Sequence, residues 1–210
     1  MQQANQTLIN KPHTTKRHFI FATVSIFAPV WALAHPGHAN DLTHNAFYMG
    51  VTHPFTGIDH LLAMLTTGLW VALTMTSRLQ QASTLMAFLV AMLIGSVLSM
   101  QGTHLPAVEP FILLSLLVFG LLVATAVRLP NWIAFGITAF FALFHGFAHG
   151  NEMPAQAQAM GYIGGFLIGT LALLLAGTYA GQTLRPHASW AIRTGGALVA
   201  AYGVTLLGLA

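Results

Sequence analysis

Residues 111–127 read FILLSLLVFGLLVATAV, an apolar run without a single charged residue. An α-helix rises 1.5 Å per residue and needs roughly twenty apolar residues to cross about 30 Å of hydrocarbon. The run therefore predicts a membrane-spanning helix. Of all 210 residues, 56% are hydrophobic and 5% are charged, whereas a soluble domain has about 25% charged residues. The composition excludes a soluble fold and predicts an all-α membrane protein whose partner is the lipid bilayer.

Five more apolar stretches of similar length accompany this run, and only short polar breaks separate them. The last break, residues 182–187, is expected to form a loop. One stretch carries Gly161, Gly165 and Gly169, and small residues at this spacing favour close helix packing in lipid. We predict a compact bundle of six transmembrane helices over residues 55–75, 82–100, 111–127, 132–150, 161–181 and 188–209.

Residues 1–34 have the features of a secretory signal peptide. Lys11, Lys16 and Arg17 precede an apolar stretch, and Ala-Leu-Ala at residues 32–34 matches an A-x-A cleavage site. A retained signal anchor is the alternative, which the shortness of the apolar stretch disfavours. Cleavage would leave a mature domain of residues 35–210 with four arginines and four acidic residues. The basic charge thus belongs to the leader, and the sequence predicts no nucleic-acid partner.

The leader also predicts the orientation of the mature chain. A signal peptide delivers the new N-terminus to the periplasm, so Arg78, Arg128 and Arg185 fall in cytoplasmic loops, which agrees with the positive-inside rule. The same topology puts the acidic residues in the periplasmic half. We therefore predict a multi-pass protein of the bacterial inner membrane with a periplasmic mature N-terminus.

The chain is rich in histidine and has no cysteine, which excludes disulfides and thiolate metal sites. The first predicted span begins with HPFTGIDHLLAM at residues 53–64. If this segment is one continuous helix, His53, His60 and Met64 share a face. Asp59 then lies on the adjacent flank, where it can bind an ion directly or orient a histidine.

The fourth predicted span ends with FHGFAHGNE at residues 144–152. His145, His149 and Glu152 recur there at helical spacing and share a face. The first and fourth spans run in opposite directions, so both motifs reach the same depth near the periplasmic surface. A single histidine in a membrane helix is often only a hydrogen-bonded packing residue, but this convergence favours a site for Ni²⁺, Co²⁺, Cu²⁺ or Zn²⁺.

The predicted mature N-terminus reads His35-Pro-Gly-His38 and is a second candidate metal site. The free α-amine and the imidazoles of His35 and His38 can chelate an ion together, which would make the segment a capture arm. A tail without a ligand role is the alternative. His104 and Glu109, in an outer loop, are weaker candidates.

The two histidine motifs resemble the signature motifs of the HupE/UreJ family, membrane proteins of hydrogenase and urease gene clusters. Both motifs appear complete here, and the His35-Pro-Gly-His38 start is similar as well. The resemblance covers the six spans. It implies a nickel permease, with cobalt as cargo in some members, that moves the ion by facilitated diffusion or a gradient.

Two other functions compete with transport. The first is an intramembrane metal hydrolase, with Asp59 or Glu152 as the base; the second is an electron carrier with histidine-ligated haem. The sequence has no H-E-x-x-H motif, and clustered carboxylates suit a divalent ion better than a porphyrin. We predict a transporter and not an enzyme, with no permanently bound cofactor and Ni²⁺ or Co²⁺ as the transported ion. The sequence does not decide whether the chain forms a homo-oligomer.

Overall fold

The computed structural model describes residues 42–153 and 158–209. All regular elements in these ranges are α-helices, so the predicted all-α fold is confirmed for this part of the chain. The predicted signal peptide, residues 1–34, lies outside the described residues. The helices are α1 (Leu42–Thr56), α2 (Ile58–Thr74), α3 (Arg78–Met100), α4 (Val108–Thr125), α5 (Asn131–Asn151), α6 (Ala159–Pro186) and α7 (Ser189–Leu207).

Most of the described helices are candidates for crossing a membrane. Five of them, α3 to α7, are long and apolar enough to do so individually. The segments Ala46–Thr56 and Ile58–Thr74 meet the same test only together, as a pair bent by 79°. The described chain therefore has five candidate spans, or six if the bent pair counts as one broken span.

The break between α1 and α2 corrects the prediction of one continuous helix through both His53 and His60. Gly57 leaves the helical conformation, with φ −90° and ψ 117°, and its carbonyl accepts the first hydrogen bond of α2 from Leu61. Glycine is a poor helix former, and Pro54, which has no N–H to donate, already lies within the last turn of α1. His53 and His60 consequently lie on two helices and share no helix face.

The loop expected at residues 182–187 is also wrong, because α6 extends to Pro186 and α7 follows it with no non-helical segment between them. A single straight helix of these 49 residues, Ala159–Leu207, would extend about 74 Å, which is far longer than a bilayer is thick. Instead the chain turns back. Gly177 of α6 lies against Leu65 of α2, and Gly203 of α7 lies against Leu116 of α4.

Glycines let several helix pairs approach closely. A Cβ added to Gly165 would meet the carbonyl oxygen of Phe47, and one added to Gly169 would meet that of Val51, so α6 crosses α1 at backbone contact. Gly146 of α5 makes the same kind of approach to α3. The helix-packing role that the sequence predicts for Gly165 and Gly169 is confirmed.

An apolar core lies between the helices, next to the histidine motifs. Trp70, Phe88 and Phe119 are fully buried in it. The indole N–H of Trp70 donates to the carbonyl of Val127 at 3.1 Å, so its polar atom is satisfied. The ring of Phe88 lies 6.4 Å from that of His145. The histidines therefore border a dry interior on one side.

Candidate metal centre

His53 and Glu152 form the most exposed part of the histidine cluster. Nε2 of His53, near the end of α1, lies 2.7 Å from Oε2 of Glu152, which follows α5. His149, one turn earlier on α5, completes a group in which one potential ligand atom from each of these three residues lies within 4.8 Å of the others. Two imidazoles and a carboxylate at this separation could hold a divalent cation.

His60 connects this group to the interior. Its ring centroid lies 4.6 Å from that of His149 and 5.0 Å from that of His145, while the His53 and His149 centroids are 4.8 Å apart. The four imidazoles thus form one continuous cluster. The two sequence motifs meet in space, as expected, even though the first is divided between two helices.

Two of the histidines have partners that orient their rings. Nδ1 of His60 lies 3.0 Å from Oδ1 of Asp59, and Nε2 of His145 lies 3.0 Å from the hydroxyl of Ser115 on α4. A carboxylate or hydroxyl on one ring nitrogen is the usual outer support of a metal-binding histidine, because it selects the tautomer and holds the ring.

The remaining ring nitrogens of the buried histidines have no hydrogen-bond partner among the described residues. They are Nε2 of His60, Nδ1 of His145, and both nitrogens of His149. His145 and His149 are fully buried. A buried polar atom without a partner costs about 1–3 kcal/mol, and here the cost recurs within a single cluster. A bound cation would satisfy these lone pairs at once.

A cleft of about 230 Å³ leads to the cluster, and its acidic lining suits a cation. Three carboxylates line it, those of Asp59, Glu109 and Glu152, together with His53 and His60. Glu109 lies in the first turn of α4. The carboxylates give the opening a negative charge, which raises the local concentration of cations.

The other predicted ligands have different surroundings. Met64 is fully buried within the apolar core. Its role as a thioether ligand stays a prediction. His104 is exposed in the loop between α3 and α4. His35 and His38 lie outside the described residues, and the capture arm stays a prediction.

Sequence reasoning missed two residues of the site. Ser115 lies in the middle of a charge-free span, where a lone hydroxyl carries no signal. Tyr162 lines a smaller cleft beside His53 and Glu152, and its ring lies 5.8 Å from that of His53. Its hydroxyl also has no partner among the described residues. A tyrosine near the start of a span was the available clue in the sequence, and it is a weak one.

Comparison with known proteins finds a family and a relative that match most of the chain. Residues 22–206 match the profile of a family described as HupE / UreJ protein. The chain is 37% identical over 180 residues to Protein HupE of Rhizobium leguminosarum bv. viciae, an alignment that covers 85% of this chain and 91% of the relative. No solved structure matches the chain.

Proposed function

The chain belongs to the HupE / UreJ family, and from this premise we propose that it is a permease for divalent transition-metal ions. Nickel is the first candidate cargo and cobalt the second, and the imported metal would supply urease or hydrogenase. The family consists of transporter-like accessory proteins, and the proposal includes no catalytic step.

One observation carries the proposal: a group of buried imidazoles with unpartnered nitrogens opens to a cleft lined by carboxylates. Imidazole nitrogen suits borderline ions such as Ni²⁺ and Co²⁺, and carboxylate supplies charge neutralisation. Hard ions such as Mg²⁺ prefer a site with more oxygen ligands. The ligand set therefore favours a late transition metal.

The proposal includes the orientation of the chain. Six spans result if the bent pair of α1 and α2 crosses the bacterial inner membrane as one, after cleavage of a signal peptide at residue 34. The separation of charge supports a periplasmic metal site. Asp59, Glu109 and Glu152 line one cleft, while Arg78 and Arg185 line another. Positive residues mark the cytoplasmic side of inner-membrane proteins.

Uptake of radioactive nickel tests the proposal, in cells that lack other nickel importers and express this chain. We expect His60→Ala and His145→Ala each to lower the uptake rate at least tenfold. His104→Ala is the control, because this histidine is exposed and is not among the residues that line the cleft at the cluster. Rates are divided by the immunoblot signal of the membrane fraction. Wild-type uptake by both variants would refute the site.

A further inference from the structure

We propose that the histidine cluster is two overlapping metal subsites that share His149 and together hold one ion at a time. This inference rests on the proposed function. The outer subsite consists of His53, Glu152 and His149, and the inner subsite consists of His60, His145 and His149. An ion that enters from the cleft binds the outer subsite first and then moves to the inner one.

His149 has the geometry of a shared ligand. It is fully buried, and neither of its ring nitrogens has a partner among the described residues. One neighbouring ring belongs to His53, at 4.8 Å between centroids, and another belongs to His60, at 4.6 Å. Phe166 stacks on the His149 ring at 5.1 Å, which limits how the ring can tilt. His149 thus touches both groups.

The outer subsite is the one that an ion meets first. The side chains of His53 and Glu152 are 27% and 43% exposed, so a hydrated cation can reach them from the cleft. Glu152 contributes the negative charge of this subsite. Its carboxylate attracts the cation and offsets part of the hydration that the ion loses on entry.

The hydrogen bonds around the inner subsite determine which nitrogen of each histidine can bind metal. A carboxylate only accepts hydrogen bonds, so Nδ1–H of His60 donates to Asp59, and the lone pair of His60 is on Nε2. Ser115 donates its single hydroxyl hydrogen to the carbonyl of Ile112 at 2.6 Å. Its oxygen therefore accepts from Nε2–H of His145, and the lone pair of His145 is on Nδ1.

The two lone pairs of this subsite are on the atoms that lack a partner, Nε2 of His60 and Nδ1 of His145. Imidazole nitrogens lie about 2.0–2.1 Å from zinc, which sets the ring centroids of two ligands on one such ion about 5 Å apart. The His60 and His145 centroids are 5.0 Å apart. The centroids of the two inner rings are therefore at a separation that a shared ion allows, although among the described residues only the outer three have ligand atoms that all lie within 4.8 Å of one another.

Sharing His149 makes the subsites mutually exclusive. A neutral imidazole has one lone pair and one N–H, so His149 can bind one ion and not two. Two divalent ions a few ångströms apart would also repel each other strongly. Transfer from one subsite to the other replaces His53 and Glu152 by His60 and His145, so the ion is never without ligands. Conduction requires such a sequence of sites that bind without trapping the ion.

Titration of the purified full-length chain with Co²⁺ in detergent tests the proposal, followed by calorimetry and by the visible absorption of the bound ion. We expect the wild type to bind one Co²⁺. His53→Ala and His145→Ala should each still bind one ion, because each leaves one subsite intact, and the variant that keeps the tighter subsite should bind within about twofold of the wild-type affinity. Their spectra should differ, because the outer subsite that remains in His145→Ala contains the carboxylate of Glu152, whereas the inner subsite that remains in His53→Ala consists of imidazoles.

His149→Gln should lose at least a hundredfold in affinity, because it removes a ligand from both subsites. Circular dichroism checks the folding of each variant, and the two single variants decide the question if His149→Gln does not fold. Two ions bound to the wild type would overturn the shared ligand, and abolished binding in either His53→Ala or His145→Ala would overturn the division into subsites. Either of these two results would leave the proposed permease function standing. A wild type that binds no ion would refute the proposed function as well.

Discussion

Oε2 of Glu152 lies 2.7 Å from Nε2 of His53, although the two residues are 99 positions apart in the chain. The contact joins the end of α5 to α1 at the cleft. A carboxylate can only accept, so His53 donates this hydrogen bond through Nε2–H. Glu152 is thus the anionic group in direct contact with the outermost imidazole, and its charge is the natural target of a first experiment.

Glu152→Gln keeps the size of the side chain and removes its charge. We expect the rate of Ni²⁺ uptake to fall at least tenfold, because the outer subsite loses the carboxylate that attracts the ion and compensates its charge. Uptake of radioactive nickel, divided by the immunoblot signal of the membrane fraction, measures the change. Glu109→Gln is the matched control, since Glu109 lines the same cleft but is outside the group of three potential ligands. Equal losses in both variants would mean that the charge acts at long range and not by coordination.

Ser115→Ala tests whether the hydroxyl positions His145. Without the hydroxyl oxygen, Nε2–H of His145 loses its acceptor and the ring loses the contact that selects its tautomer. We expect a ten- to hundredfold loss of Co²⁺ affinity, the usual effect of removing an outer support, together with a change in the visible spectrum of the bound ion.

Ser96→Ala is the control for Ser115→Ala. Ser96 is equally buried, and its hydroxyl likewise donates to a carbonyl of its own helix, that of Leu93 at 2.9 Å. A purely structural role for Ser115 would lower the melting temperature of both variants and leave the spectrum of bound Co²⁺ unchanged.

The meeting of the two histidine motifs could be predicted because it depends only on periodicity and depth. Histidines at i and i+4 share a helix face, and antiparallel spans bring His60 and His149 to one level. Ring contacts of 4.6 Å between these two residues agree with that reasoning. The sequence allowed two roles for Asp59, direct binding of an ion or orientation of a histidine. Its 3.0 Å contact to His60 agrees with the second role.

The break at Gly57 could not be predicted in the same way. An apolar run that contains one glycine is compatible with a straight helix, and tertiary packing decides whether the chain bends there. The contact of Ser115 with His145 has the same origin, since it depends on how α4 packs against α5. Periodicity and depth give the face and the membrane level of a residue, but they do not give a bend in the chain or the side-chain contacts that helix packing produces.

Gly146→Ala should destabilise the fold. A Cβ at Gly146 would collide with the backbone carbonyl of Met92, where α5 packs against α3. The carbonyl belongs to a helix and cannot move alone, so the two helices must separate. Overpacking of this kind costs about 1–3 kcal/mol, and we expect a lower melting temperature for the purified protein.

Gly136→Ala is the control for this variant. Gly136 lies on the same helix, and a Cβ there meets nothing within 4 Å among the described residues. Alanine also has the better helix propensity, so this variant should melt at or above the wild-type temperature. A Gly146→Ala protein as stable as Gly136→Ala would contradict the close packing of α3 and α5.

The loops at the two ends of α3 should lie on opposite sides of the membrane. Ser77 precedes this helix and Thr103 follows it, and both residues are exposed. Arg78 adjoins the first loop, so this loop is expected in the cytoplasm. Glu109 lies in the first turn of α4, after the second loop, and lines the cleft at the metal site. The native chain has no cysteine, so single cysteines report their own position alone.

In intact cells, a membrane-impermeant thiol reagent should label Thr103→Cys and leave Ser77→Cys unlabelled. Permeabilised cells should label both variants, which controls for the reactivity of each thiol. We expect this result because α3 crosses the bilayer once, which puts the polar loops at its two ends on opposite sides. Labelling of Ser77→Cys but not of Thr103→Cys in intact cells would invert the chain. Glu152 and the histidine cluster would then face the cytoplasm, and the direction of transport would have to be reversed with them.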